Sequence, residues 1–240
     1  MGTIVILFTA LLPIAILVYY IYHKDKNKPE PTGQLVKAFC LGVLSAPLSF
    51  SISIPLRLIG AYSAETTSIL GSVSAAFFGA AIPEEIAKFF ILWLVLRNNK
   101  YFDEKMDGIV YAVCVSLGFA AIENILYLFV HSESFITVGI SRAIFAVPGH
   151  FCFGILMGYY YSLAKFYPKA PKKNKALILI APIIVHGLYD TILFIIDVTP
   201  AISGILLIVF LVFCYRMWKY GSRRIKEHLN RDKESEIIIN

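Results

Sequence analysis

Seven segments of this chain are apolar over about 20 residues, the length that an α-helix needs to cross the hydrocarbon core of a bilayer. Of the 240 residues, 58% are hydrophobic and 16% are charged. This composition is typical of polytopic membrane proteins and not of soluble domains. The sequence therefore predicts an all-α membrane protein with about seven transmembrane helices. The predicted spans are 3–22, 34–56, 68–96, 108–130, 140–163, 176–196 and 201–217.

Basic residues indicate how these spans are oriented. Most of the 22 Lys and Arg residues follow the first, third, fifth and last spans, and the other connections are almost free of them. Because cytoplasmic loops are enriched in Lys and Arg, the N-terminus is expected outside and the C-terminus in the cytoplasm. Residues 1–220 are expected to form one integral membrane domain, and 221–240 a charged cytoplasmic tail. The net charge of +6 is then a mark of topology and of attraction to the lipid bilayer. Without a recognition motif, it does not predict a nucleic-acid partner.

Two further features exclude other classes of protein. The first span has no basic start and no small-residue cleavage site, so we expect it to remain in the mature chain and not to act as a signal peptide. The four cysteines fall in four different spans without paired spacing. They therefore predict neither a disulfide framework nor a thiolate metal site.

Ionisable residues lie inside four of the predicted helices. Such residues are expensive in a membrane and point to function by default. Counting about 1.5 Å per residue from the cytoplasmic border places the acids and histidines at one depth, roughly 16 to 22 Å into the membrane. We therefore predict that one polar site is formed by Glu84, Glu85, Lys88, Glu123, His150, His186 and Asp190.

Spacing within the helices adds detail to this site. His186 and Asp190 are four residues apart and so project from one helix face, and Lys88 follows Glu84 at the spacing of a helical ion pair. Pro83 directly precedes Glu84, so we expect the overlong third span to break at 81–83, with Glu84 in the first turn of a new half-helix. Arg142 is expected to extend along an outer helix end towards water.

The predicted site fits two kinds of hydrolytic chemistry. A carboxylate can activate water while an imidazole donates a proton to the leaving group. The same residue types can instead hold a zinc ion with an open position for water, although the zinc-protease motif His-Glu-x-x-His is absent. Spacing alone does not choose between the two. The zinc ligands would then come from Glu123, His150, His186 and Asp190.

Two alternatives involve no proteolysis. Buried carboxylates also mark the ion pathways of proton- or cation-coupled transporters and channels. Against this reading, the chain has no matching halves with interrupted helices in corresponding positions. A non-enzymatic scaffold would bind a partner helix through small residues such as those of 71–80.

Three motifs of this chain resemble those of PrsW-type intramembrane proteases, in the same order and separation. They are Glu-Glu-x-x-Lys at 84–88, Phe-x-x-x-Glu at 119–123 and His-x-x-x-Asp at 186–190, and the similarity extends over roughly 33–195. The resemblance implies a multi-pass protease of the bacterial cell membrane that makes the first cut in a single-span anti-sigma factor and so starts a sigma-factor stress response. It also implies a distant relation to the CAAX-processing and bacteriocin-immunity proteases.

The resemblance also suggests roles for individual residues. In the larger group the first Glu of the Glu-Glu motif activates water, which makes Glu84 the expected general base. Glu123 stands where that group has His, and Asp190 where it often has Asn, so metal-free and zinc-dependent mechanisms both stay open. No cofactor is favoured, and zinc is possible. Glu85 and Lys88 are expected to support this base, and Glu123 and His186 to position the water. The proton donor is expected to be His150 or His186. Asp190 is expected to orient His186 or to polarise the carbonyl group of the substrate.

Overall fold

The computed structural model describes residues 2–26, 28–167 and 172–239, with side chains to residue 234. Over these residues the regular secondary structure is entirely helical, which confirms the predicted fold class. Within these described residues, six helical segments are long and apolar enough to cross a membrane, and the direction in which they cross it stays a prediction. The helices are α1 (Gly2–Lys24), α2 (Thr32–Leu58), α3 (Ile69–Ser74), α4 (Ile82–Leu96), α5 (Lys105–Val130), α6 (Phe135–Ser141), α7 (Val147–Phe166), α8 (Lys173–Val198) and α9 (Ser203–Ile239), with π-helical turns at Ala75–Ala81 and Arg142–Ala146 and a 3-10 turn at Pro200–Ile202.

The third predicted span is helical from Ile69 onwards but is not one regular α-helix. α3 continues into the π-helical turn Ala75–Ala81, and α4 then begins at Ile82 with Pro83 in its first turn. The expected break at 81–83 is therefore a change of helix type and not an interruption. Proline has no N–H, and its ring crowds the carbonyl four residues earlier. The wider π-helical turn accommodates Pro83 without leaving the helix.

α5 lies at the centre of the bundle. Its residues from 105 to 121 are all buried, whereas α1, α2 and α9 expose many large apolar side chains, as a lipid-facing surface would. Glycines permit the close packing of α5: Gly42 of α2 faces the backbone of Val115, and Gly158 of α7 faces Gly108. A Cβ atom at either Gly42 or Gly158 would collide with the α5 backbone. α5 therefore brings its functional side chains close to α2 and α7.

The last helix is much longer than the predicted span 201–217. α9 has 37 residues and therefore rises about 55 Å, more than the roughly 30 Å of a bilayer core. The charged segment after Gly221 continues this helix and contacts the bundle. Asp232 accepts hydrogen bonds from the backbone N–H groups of Lys105 (3.0 Å) and Met106 (2.9 Å). The end of α9 thus caps the start of α5.

Candidate active site

Ionisable side chains from α4, α5, α7 and α8 meet inside the bundle, with Lys88 at their centre. Its Nζ lies 2.9 Å from Glu85 Oε1, 3.4 Å from Glu84 Oε2 and 3.1 Å from His150 Nδ1. An ammonium group has three donors, and these partners use all three. Lys88 therefore joins α4 to α7, besides balancing the charge of Glu84. The cluster contains all seven predicted side chains: Glu84, Glu85, Lys88, Glu123, His150, His186 and Asp190.

His186 lies between carboxylates on both sides of its ring. Nδ1 is 2.9 Å from Glu85 Oε1, and Nε2 is 3.2 Å from Asp190 Oδ2 and 3.9 Å from Glu84 Oε2. An ionised carboxylate only accepts hydrogen bonds, so this environment favours a hydrogen on each nitrogen, that is, an imidazolium. The ring also stacks on Phe153, with 4.5 Å between the ring centroids. His186 is therefore favoured as an imidazolium, with its Nε2 proton directed towards Asp190 and Glu84.

His150 has a different environment and a different protonation state. Its Nδ1 faces Lys88, which can only donate, so Nδ1 is the acceptor. Its Nε2 lies 2.8 Å from Glu123 Oε2 and donates to it. His150 is thus held as the neutral tautomer with hydrogen on Nε2, and it connects Lys88 to Glu123.

Arg142 also belongs to this cluster, and the expectation that it extends towards water is wrong. Its Nη2 donates to Glu123 Oε2 at 2.8 Å, and its Nε donates to Asn124 Oδ1 at 2.6 Å. The guanidinium carbon lies 4.0 Å from the ring centroid of Tyr127. The predicted site contains four acidic residues but only one lysine. This excess of negative charge in the sequence could have indicated that a second cationic side chain lies nearby, and Arg142 is that side chain.

The four carboxylates of the cluster differ in their access to solvent. Glu85 is fully buried, whereas the side chains of Glu84, Glu123 and Asp190 are 14%, 22% and 15% exposed. Glu84 and Glu123 line a cleft of about 510 Å³. The cleft continues between α2 and α5 to the end of α5 at Val130. Glu84 can therefore meet a substrate, and Glu85 cannot.

The sequence of this chain matches the model of a known family over residues 30–217, a range that includes the whole cluster. The family is described as PrsW family intramembrane metalloproteases. This chain belongs to the PrsW family. It is a multi-pass bacterial membrane protease, as the three motifs predicted.

Several proteins called Protease PrsW are similar to this chain along most of its length. The protein of Clostridioides difficile is 35% identical over 228 residues, which cover 94% of this chain and 92% of that protein. The protein of Oceanobacillus iheyensis is 38% identical over 188 residues, covering 78% and 82% of the two chains. The protein of Bacillus subtilis is 35% identical over 226 residues, covering 92% and 94%. No solved structure matches this chain.

The description of the family as metalloproteases raises the question of whether the cluster fits a metal ion. Potential ligand atoms of Glu84, Glu85 and His150 lie within 4.8 Å of one another, and their donor types suit zinc. However, Lys88 Nζ lies within 3.4 Å of all three residues, so its ammonium group takes the place of the ion. The second nitrogen of His150 and both nitrogens of His186 have protein partners. As packed, these residues do not fit a resident metal ion.

Proposed function

We propose that this PrsW-family protease cleaves a peptide bond in the membrane-spanning part of a single-span anti-sigma factor, with Glu84 as the general base. The observation that carries the catalytic assignment is that the adjacent carboxylates of Glu84 and Glu85 differ in their access to the cleft and in the closeness of their partners. Glu84 borders the cleft, and its partners Lys88 and His186 lie 3.4 Å and 3.9 Å away. Glu85 is fully buried and has two partners at 2.9 Å. Of these two residues, only Glu84 combines access to the cleft with free acceptor capacity for a water molecule.

The reaction follows from this arrangement. Glu84 accepts a proton from water while the water oxygen bonds to the carbonyl carbon of the substrate. The C–N bond then breaks, and the leaving nitrogen takes up a proton. Glu123 borders the same cleft, and Arg142 and His150 hold its carboxylate in place. Its second oxygen can accept a hydrogen bond from the water and so fix the direction of attack.

His186 suits the role of proton donor better than His150. Its Nε2 faces Glu84 and Asp190 with a hydrogen to donate, and its positive charge stabilises the oxyanion that forms on the carbonyl. His150 donates its single N–H to Glu123 and accepts from Lys88. We therefore assign proton donation to His186, its orientation to Asp190, and the support of Glu123 to His150.

The cleft suits a peptide chain that has partly left its helical conformation. Its α2 wall carries the small side chains of Ala46, Ser49 and Ser53, and its opposite wall carries Gly79 and Ala80. Small residues let another backbone approach closely in a membrane. A helical substrate must unwind locally, because its carbonyl groups are otherwise occupied by hydrogen bonds within the helix.

The predicted orientation places the cut near the outer side of the membrane. The cleft runs to Val130 and His131 and to the connection at 62–64, which the distribution of basic residues assigns to the outer face. A cut there would leave the substrate anchored by the remaining part of its span. Further proteolysis would then release the sigma factor and start the stress response. The anti-sigma factor as substrate rests on the family resemblance.

Purified protein in lipid nanodiscs tests this proposal directly. The substrate is a single-span anti-sigma factor from the same organism, and mass spectrometry locates the cleaved bond. We expect one cut inside the membrane span, and we expect Glu84→Gln to slow the cleavage by about 10²-fold or more. Equal cleavage of unrelated single-span proteins would contradict the substrate assignment. Cleavage at the wild-type rate by Glu84→Gln would contradict the catalytic assignment independently.

A further inference from the structure

A second group of carboxylates lies at the other end of α5, where α1 ends. Asp25 directly follows α1, Glu104 is the N-cap of α5, and Asp107 lies in the first turn of α5. One carboxylate oxygen from each of the three lies within 4.8 Å of the others. Asp107 precedes Glu123 by more than four turns of α5, roughly 24 Å. This group is therefore separate from the catalytic cluster.

Two of these carboxylates are buried and incompletely bonded. Asp25 is 3% exposed and Asp107 is 1% exposed. Within the part of the chain that the structure describes, Asp25 Oδ2 and Asp107 Oδ1 have no hydrogen-bond partner. The other oxygen of Asp107 accepts from the backbone N–H groups of Asp103 (2.9 Å) and Glu104 (2.6 Å), which fixes the carboxylate. Because a buried oxygen without a donor is costly, two of them within one group of carboxylates indicate a ligand from outside the chain.

Negative charge also exceeds positive charge around this group. Glu30 adds another buried carboxylate and accepts a hydrogen bond from the hydroxyl of Tyr111. The negative charges of Glu104, Glu30 and Asp232 all act on Asp25. The nearby lysines contact other groups more closely than these three carboxylates. Lys28 lies 2.8 Å from Asp103 and 3.7 Å from Glu104. Lys105 lies 3.1 Å from Asp232, and Lys165 donates to the carbonyl of Phe102.

We propose that Asp25, Glu104 and Asp107 bind a hard divalent cation, Mg²⁺ or Ca²⁺, which ties the end of α1 to the start of α5. Ligand sets made only of oxygen select these ions over zinc. The ion neutralises the excess of carboxylates and supplies the missing partner of Asp25 and Asp107. Its role is structural, because the distance along α5 excludes contact with a substrate at Glu84.

The test measures ion binding directly, with Mn²⁺ as a paramagnetic probe and with Mg²⁺ and Ca²⁺ as separate competitors. The full-length protein is purified in a nonionic detergent and stripped with a chelator. We compare Asp25→Asn with Asp103→Asn, which removes the same charge from a neighbouring carboxylate that is bound to Lys28 and half exposed. We expect one ion per chain in the wild type and in Asp103→Asn, and binding at least about tenfold weaker in Asp25→Asn, because ligand charge sets affinity at such sites. The competitor that displaces Mn²⁺ at the lower concentration identifies the preferred ion.

Thermal unfolding gives a second measurement. At an ion concentration about 100 times the dissociation constant, the unfolding midpoint of the wild type and of Asp103→Asn should rise by roughly 5 °C or more. The midpoint of Asp25→Asn should rise by no more than about half as much, because tenfold weaker binding leaves the ion at only about 10 times the dissociation constant of the variant. If Asp25→Asn does not fold, Asp107→Asn replaces it, since the asparagine oxygen can still accept from the two backbone N–H groups.

Three results would overturn the proposal. The first is that the wild type shows no saturable Mn²⁺ binding and that divalent ions do not change its unfolding midpoint. Protons alone would then satisfy the carboxylates. Another is equal affinity in Asp25→Asn and the wild type. The third is loss of the bound ion in Glu84→Gln, which would place the ion in the catalytic cluster.

Discussion

Replacement of either member of the Glu84–Glu85 pair by glutamine is a sharp test of the assigned roles. The two substitutions are chemically identical and affect adjacent residues of α4. Glu84→Gln removes the base but affects only two long contacts, 3.4 Å to Lys88 and 3.9 Å to His186. Glu85→Gln removes the anion that lies 2.9 Å from both Lys88 and His186 in a fully buried position. The first should therefore impair catalysis, and the second should impair stability.

The expected magnitudes differ accordingly. Loss of a general base slows a reaction by about 10² to 10⁴-fold, which corresponds to roughly 3 to 5 kcal/mol of barrier height. Loss of one partner from a buried ion pair costs about 3 to 5 kcal/mol of folding free energy. For a chain of this size, that cost lowers the unfolding midpoint by roughly 10 °C. For Glu84→Gln we expect a change of no more than about 1 kcal/mol, the scale of a single weak ion pair.

Two measurements on the same purified variants separate these effects. A thiol-reactive dye monitors unfolding through Cys114 and Cys152, both of which are buried in the folded protein. Cleavage of the anti-sigma substrate is measured well below the unfolding midpoint of each variant. The reasoning is refuted if Glu85→Gln melts like the wild type while Glu84→Gln melts about 10 °C lower, since the two carboxylates would then have exchanged roles.

Three further predictions concern metal content, helix packing and pH. Purified active protein should contain far less than one zinc ion per chain and should keep its activity after dialysis against a strong chelator. One zinc ion per chain, with activity lost on its removal and restored by zinc, would contradict the inference that the Lys88 ammonium group takes the place of an ion. Gly158→Ala should lower the free energy of unfolding by about 1 to 3 kcal/mol, because the new methyl group collides with the backbone at Gly108. The control is Gly204→Ala, whose new methyl group meets nothing within 4 Å. In the same unfolding assay this control should be neutral or slightly stabilising. Without divalent ions, the contribution of Asp25 to stability should fall as pH rises from about 4 to about 8, because folding raises the pKa of Asp25 to about 8 and the native state binds one more proton than the unfolded state over this range. Saturating Mg²⁺ or Ca²⁺ should reduce this fall. An unfolding midpoint that does not change with pH in the ion-free protein would argue against a buried Asp25 carboxylate.

Much of this protein could be predicted from the sequence, because a membrane restricts what a chain can form. Within hydrocarbon the backbone must satisfy its own hydrogen bonds, so each apolar run of about 20 residues is a helix. Helical rise then fixes the depth of every ionisable residue from its place in the run. Depth and spacing along single helices are enough to predict that the seven ionisable residues lie close together, without any information on contacts between helices. The family was predicted separately, from the resemblance of the three motifs to those of PrsW-type intramembrane proteases.

Other features depended on how the helices are rotated and how closely they pack. Adjacent residues on a helix point about 100° apart, so the sequence alone could not decide which of Glu84 and Glu85 borders the cleft. The inward direction of Arg142 depends on the π-helical turn at Arg142–Ala146 and on the carboxylate of Glu123. The group at Asp25 and Asp107 forms only because α1 ends beside the start of α5. Depth in the membrane is a property of one helix, whereas contact between side chains requires the rotation and the distance of two helices, and only their packing against each other sets these.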